Sequence, residues 1–261
     1  MKIGVCIKQV PDTSAQIAVN SEGTGIDESS IKWVISPYDE FAIEQALQIK
    51  EKIGDQASVT VFSVGPAKVQ EALRTALATG CDHAVHIETQ DRWSLDHHSI
   101  AKILAQALDE ESCELTFVGK QSIDDDSGHI GPMIAQKRQH AHASVVDEFE
   151  LSEDLQSAKV KKNLEGGLSQ VWTLSLPLLV STTKGLNQPR YASLKGIMQA
   201  KKKPLSQKKP QDYGVEESTK GLQWNHFFIP AQQRGKKMFS EGAAQDAEKV
   251  VGLLRQEAKV I

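Results

Sequence analysis

The sequence is poor in features that would cross-link a chain or hold it in a membrane. Its three cysteines, Cys6, Cys81 and Cys113, are odd in number and far apart, which fits neither a disulfide framework nor a CxxC metal or redox pair. They read as small buried hydrophobes in a reducing compartment. No stretch approaches the roughly 20 apolar residues that span a bilayer, and the longest candidate, residues 174–180, is interrupted by Pro177. The opening MKIGVCIKQV lacks a long apolar segment followed by a small-residue cleavage site, so the chain is expected to be soluble and cytoplasmic, with no signal peptide. A basic excess is missing too: 34 acidic residues against 30 basic ones give a net charge of -4, without the global field that nucleic acid or an anionic membrane would need.

Signatures of catalysis are equally scarce. The eight histidines occur as His83 with His86, His97 with His98, His140 with His142, and the isolated His129 and His226, and no HExxH is formed. His140 and His142 read as a solvated pair in a loop. There is no GxSxG elbow, no GxGxxG after the first strand and no GxxxxGK[ST]. Any nucleotide must be held in another way.

What is present is a regular alternation of periods. A strand is expected over 3–10 and a helix over 40–53, then a strand over 58–63 and a helix over 67–79 with Val69, Ala72, Leu73, Ala76 and Leu77 inward and Gly80 as its stop. A third unit follows, with a strand at 84–87, a helix over 99–108 and a strand at 115–118. Such alternation predicts a parallel sheet with right-handed crossovers. Beyond Ile134 the texture changes to strands at 144–151, 158–163, 168–174 and 178–182, with Gly166 and Gly167 at a bend, and some antiparallel edge pairing is expected. The core is expected to lie before residue 190. The run KKKPLSQKKP, residues 201–210, reads as a boundary and linker, and residues 243–258 as an amphipathic helix whose apolar face, on Ala247, Val250, Val251 and Leu254, needs a partner surface.

The best candidate for a binding site is the segment after the strand ending at Val118: Gly119, Lys120, Gln121, Ser122, Ile123, Asp124, Asp125, Asp126, Ser127, Gly128, His129, Ile130, Gly131 and Pro132. It lies at the carboxyl end of a sheet strand, where open α/β folds bind ligands. The first N–H groups of the helix beginning there, around residues 127–130, are free to hold a phosphate, and Gly128 allows close approach. Three consecutive aspartates oppose an anion unless they cap the helix, hold hydroxyls or point outward. A helix start with no ligand is the other reading. Two more strand-end loops are expected to converge on the same edge, Ile35, Ser36, Pro37, Tyr38, Asp39 and Glu40 before the first helix, and Ser63, Val64, Gly65, Pro66 and Ala67 before the second; each is also explained by a plain helix start.

These segments resemble the beta subunits of the electron-transfer flavoproteins. The similarity runs through KQVPDT at 8–13, SPYDEFAIEQALQIKE at 36–51, GPA at 65–67, GKQSIDDD at 119–126, EGG at 165–167 and NQPRYASL at 187–194, in the family's order and spacing. It implies an open, mainly parallel sheet of the adenine-nucleotide α-hydrolase-like type with helices on both faces, plus an extended C-terminal arm and helix. On it, residues 1–200 form the nucleotide-binding domain and residues 201–261 the arm that docks on the partner subunit. The implied function is that of an electron carrier without catalytic residues, heterodimeric with an alpha subunit that mainly binds FAD. Electrons would pass from acyl-CoA or other dehydrogenases, as in fatty acid oxidation, to a quinone oxidoreductase or other acceptor.

The resemblance also places AMP in this subunit, on Cys6, Ser36 to Asp39, Val64 and Gly119 to Ile130. It assigns a dehydrogenase-docking role to Tyr191, Leu194, Ile197 and Met198, with Leu194 as the anchor; a core role for Leu194 is the alternative. Members that bind AMP usually carry Asn-Gln-Thr or similar where this chain has Gly128, His129 and Ile130. The alternative is a bifurcating-type subunit with a second FAD in place of AMP, but such members typically have a glycine within the aspartate run that this chain keeps intact. Thr13 stands where many members place a tyrosine near the flavin, and Asn163 where many have an acid. Two further classes are a pyrophosphatase-type hydrolase of the same fold, whose SGGxDS is replaced here by Lys8-Gln9-Val10-Pro11-Asp12, and a stand-alone nucleotide sensor.

Overall fold

A computed structural model describes residues 1–217, 221, 225–231 and 236–261. The chain begins with β1 (Lys2–Cys6), β2 (Gln9–Pro11) and β3 (Trp33–Ile35), followed by α1 (Pro37–Ile53), β4 (Ser58–Gly65), α2 (Gln70–Thr79), β5 (His83–Glu88), α3 (His97–Glu110), β6 (Leu115–Gly119) and α4 (Ile130–Arg138). Next come β7 (Ala141–Val146), β8 (Glu148–Leu151), β9 (Ser157–Asn163), β10 (Ser169–Ser175), β11 (Leu178–Thr182), α5 (Leu194–Ala200), β12 (Leu205–Lys208) and α6 (Ala243–Leu253).

Seven strands form one sheet in the order β12-β5-β4-β1-β6-β11-β7, and every pairing in it is parallel. Such a sheet must be covered on both faces, and the strands supply side chains to each alternately. Val59 and Val61 join Ile43, Ala46 and Leu73 of α1 and α2 in one core cluster. Phe62, next in sequence, joins Ile103 and Leu108 of α3 and Ile134 of α4 in the other. The same split separates Leu178 and Val180 from Leu179. The helices start where their sequences indicate: Pro37 opens α1 with Asp39 and Glu40 in its first turn, and the Asp96 carboxylate caps α3 by accepting the Ser99 N–H at 2.7 Å.

The α/β architecture with an open parallel sheet is as expected, and several details differ. The antiparallel pairing is not at an edge of the main sheet but in a separate three-stranded sheet, β10-β9-β8, while β7 and β11 join the main sheet in parallel. The expected first strand divides into β1 and β2, the latter pairing antiparallel with β3. His142 lies within β7 rather than in a loop, half-buried, with its Nε2 3.1 Å from Ser144 Oγ.

The lysine run holds β12, which pairs with β5 from Leu205↔Ala84 to Lys208↔Ile87. Ala200, Tyr213 and Val215 are buried, so the core extends beyond residue 190. The chain accordingly divides into compact units Met1–Phe227 and Phe228–Ile261. The second unit holds α6, continued by a looser turn to Ala258, with ion pairs Lys237–Glu257 and Lys249–Glu241.

Candidate functional site

From β1 the chain moves outward through β4 and β5, then returns to β6 on the other side of β1. This reversal leaves a crevice at the carboxyl ends of β1 and β6, the switch point at which open α/β sheets bind ligands. A cavity of about 520 Å³ lies there, lined by the segments following β1, β4, β5 and β6 and by the start of α4.

Asp39 joins two of those segments. Its buried carboxylate accepts the Lys8 N–H at 2.7 Å and the Gly119 N–H at 2.8 Å, tying the ends of β1 and β6 to the first turn of α1. Burial raises its carboxyl to about 7, against the lowering effect of those two N–H groups. Tyr38 lies beside this junction, under the Lys120 ammonium, whose nitrogen is 4.8 Å from the ring centroid.

The aspartate run is partly neutralised locally. Lys8 Nζ reaches Asp124 Oδ1 at 2.8 Å and Asp125 Oδ2 at 3.2 Å, and Asp125 Oδ1 accepts the Ser127 N–H at 2.9 Å. Partial burial opposes ionisation of Asp125, but the Ser122 hydroxyl, the Lys8 ammonium and the Ser127 N–H outweigh it and hold that carboxyl well below its usual range. Asp126 is exposed and accepts from Gln121 Nε2 at 2.8 Å.

Beyond the aspartates, the N–H groups of Gly128, His129, Ile130 and Gly131 donate to no described group. They form the unpaired start of α4, where the helix dipole favours an anion. Gly131 lets α4 lie close on β6, since a Cβ there would be 2.9 Å from Val118 Cγ2. Gly128 is packed against its own loop: a Cβ there would be 3.0 Å from the Lys120 carbonyl oxygen. Its small size therefore serves the loop as well as any ligand.

Of the residues singled out from sequence, Cys6, Asp39, Val64, Gly65, Pro66, Gly119, Gln121, Ser122, Ile123, Asp124, Asp125, Ser127, Gly128, Ile130 and Gly131 line the cavity. Ser36, Pro37, Tyr38, Lys120, Asp126 and His129 are not on its wall. The reading missed Lys8 as a site residue and the whole segment after β5, which contributes Thr89, Arg92, Trp93 and His97. That segment is a fourth strand-end loop, and its place between β5 and α3 was the available signal. Arg92 lies 3.5 Å from the Trp33 ring centroid and donates to Gln9 Oε1 at 2.8 Å. His97 Nδ1 is 2.6 Å from His129 Nε2.

A second feature lies away from the cavity. Ser193 caps α5 by accepting the Gly196 N–H at 3.0 Å, and Arg74 of α2 holds the Ala200 and Lys203 carbonyls at 2.7 and 2.9 Å. The clamped helix and the residues just before it present Tyr191 at 97% exposure, Leu194 at 83%, Met198 at 72% and Ile197 at 47%. The core alternative for Leu194 does not hold, because its side chain packs into neither cluster.

A family model described as an electron transfer flavoprotein domain matches residues 23–213, which takes in every strand of the main sheet except β1. The electron transfer flavoprotein subunit beta of Bacillus subtilis (strain 168) is 36% identical over 264 residues, covering 100% of both chains. That of Methylophilus methylotrophus is 30% identical over 98% of each chain, and that of Homo sapiens 36% identical over 84% of this chain and 86% of its own. The chain belongs to the beta-subunit family of the electron transfer flavoproteins.

Membership makes it a subunit of an electron-carrying flavoprotein and implies an alpha-subunit partner. No helix among the described residues is long and apolar enough to cross a membrane, and no three described His, Cys, Asp or Glu residues stand together as metal ligands. The match with the Bacillus subtilis subunit, spanning both chains, also takes in the segment 6–11 that precedes the family-model match and lines one wall of the cavity.

Proposed function

We propose that this chain binds AMP in the cavity between β1 and β6. As the beta subunit of a heterodimer, it carries electrons from acyl-CoA or other dehydrogenases, as in fatty acid oxidation, to a quinone oxidoreductase or other acceptor. The observation that carries the reading is the set of unpaired N–H groups from Gly128 to Gly131, facing a cavity at the switch point of the sheet. Those groups suit a phosphate, and Lys8 lessens the electrostatic objection by engaging Asp124 and Asp125. Cys6 and Val64, on the wall at the ends of β1 and β4, suit the apolar faces of an adenine.

FAD, held mainly by the alpha subunit, supplies the redox chemistry when bound. The residues of this chain contribute binding and docking and have no catalytic role of their own. Residues 1–200 hold the nucleotide site, and the arm beyond the first compact unit, residues 228–261, serves the partner subunit. The exposed Tyr191, Leu194, Ile197 and Met198 form the dehydrogenase contact, with Leu194 as the anchor.

Co-purification with the alpha subunit, followed by mass identification of the released small molecules, tests the reading. One AMP and one FAD per heterodimer is expected. Two FAD molecules without AMP would make this the bifurcating type, and FAD alone would remove AMP from the cavity.

A further inference from the structure

The pair formed by His97 and His129 is unused by any contact described so far. His97 opens α3 and lines the cavity, while His129 is the cap residue of α4, beside the unpaired N–H groups. Their rings meet across 32 positions of sequence, with Nδ1 of His97 2.6 Å from Nε2 of His129 and ring centroids 4.6 Å apart. Two nitrogens at that distance share one proton, one ring donating and the other accepting. The opposite edge of His97, Nε2, faces Asp125 Oδ2 at 3.5 Å.

We propose that the phosphate of the bound nucleotide is held by His97, which lines the cavity, with His129 behind it sharing its proton, so that binding takes up a proton. The inference rests on the nucleotide reading above. A phosphate at the start of α4 places a dianion beside the pair, and the charged form of the pair gains what the free site lacks.

The surroundings leave room for that charge. On α3, the Asp96 carboxylate is occupied by the Ser99 and Gly221 N–H groups, and His98 faces Lys137 of α4 at 3.0 Å. From the loop before α4 come Asp124 and Asp125, both engaged by Lys8, and Asp126, engaged by Gln121. Without a ligand, burial and then the neighbouring His129 hold the His97 imidazolium below its usual value. His97 also supplies, from a different helix, the polar contact that a glycine and an isoleucine on either side of His129 cannot make.

The test uses the intact heterodimer stripped of nucleotide, with AMP as the probe. Calorimetric titrations between pH 6.5 and 8 in two buffers of different ionisation enthalpy report the protons taken up. Wild type is expected to gain up to about tenfold in AMP affinity per pH unit of acidification, the limit for one proton, with net proton uptake on binding. In His97→Gln and His129→Gln both effects should shrink to the ligand's own contribution, which has the opposite sign because its second ionisation lies near pH 6. Adenosine, lacking the phosphate, should show no linkage in any form.

AMP binding with the same pH dependence and proton count in wild type and both variants would overturn this role of the pair while leaving the nucleotide reading intact. Absence of AMP binding to wild type at every pH would overturn both. Unchanged melting temperatures of the two variants exclude a folding defect as the cause of a flattened profile.

Discussion

Gly119 and Asp39 fit together with no room for a methyl group. The Gly119 N–H donates to Asp39 Oδ1 at 2.8 Å, and a Cβ on Gly119 would run into that same oxygen while lying 2.9 Å from Tyr38 Cβ. The glycine is required here by close approach rather than by an unusual backbone angle.

Gly119→Ala is therefore expected to push α1 away from β6 and to break the tie between the strand ends. The cost should be about 1–3 kcal/mol, as for other overpacked sites, read as a lower denaturant midpoint. AMP retained by the purified heterodimer should fall in parallel. Full stability with undiminished AMP would show that the junction relaxes without consequence.

Asp39 also sets a pH dependence. Its folded-state value of about 7 lies above the unfolded carboxyl value of about 4, so the folded form binds the proton more tightly. The stability it contributes is fully present below pH 4 and is lost as pH rises through 7. The difference in stability between wild type and Asp39→Asn should decline across that window, measured by denaturation at several pH values. A constant difference would mean that the two N–H groups keep the carboxylate ionised throughout.

Leu194→Ala should leave folding, AMP and flavin unchanged, because a side chain at 83% exposure has little to lose on truncation. Electron transfer from the cognate dehydrogenase at limiting concentration should weaken by roughly thirtyfold, corresponding to about 2 kcal/mol for an anchor residue. Loss of thermal stability, or undiminished transfer, would count against the anchor role.

The contribution of the C-terminal arm is best tested by ending the chain at Phe227. A cut after Lys209 would remove the buried Tyr213 and Val215 along with the arm, whereas the first compact unit runs to Phe227. The shortened chain should keep the melting behaviour of the isolated full-length subunit but bind the alpha subunit less tightly. Equal yields of flavin-containing heterodimer would place the docking surface elsewhere.

The helices and their inward faces were legible in sequence because a 3.6-residue period leaves a stripe: Val69, Ala72, Leu73, Ala76 and Leu77 are all buried. Strand partners were not. Alternation at period two is the same whether β9 pairs with β8 and β10 or extends the main sheet, so the separate antiparallel sheet left no local mark. β12 was hidden because an edge strand needs little apolar content, and the lysines of the run around it read as a linker. The cavity was partly legible for a similar reason: the segment with a run of aspartates attracts attention, whereas Lys8, His97 and Arg92 acquire meaning only through partners remote in sequence.

The late position of β12 bears on how the molecule folds. Every pairing in the main sheet joins segments distant along the chain, which slows folding relative to a fold of local contacts. The outer backbone edge of β5 is paired only when Leu205–Lys208 is in place, and that segment emerges from the ribosome after all the other described strands. Until then β5 is an open apolar edge, the kind of surface that recruits other unfinished chains. Once β12 closes it, the outermost strand carries Lys208 and is flanked by Lys203 and Lys209, charges that discourage a further strand from adding there.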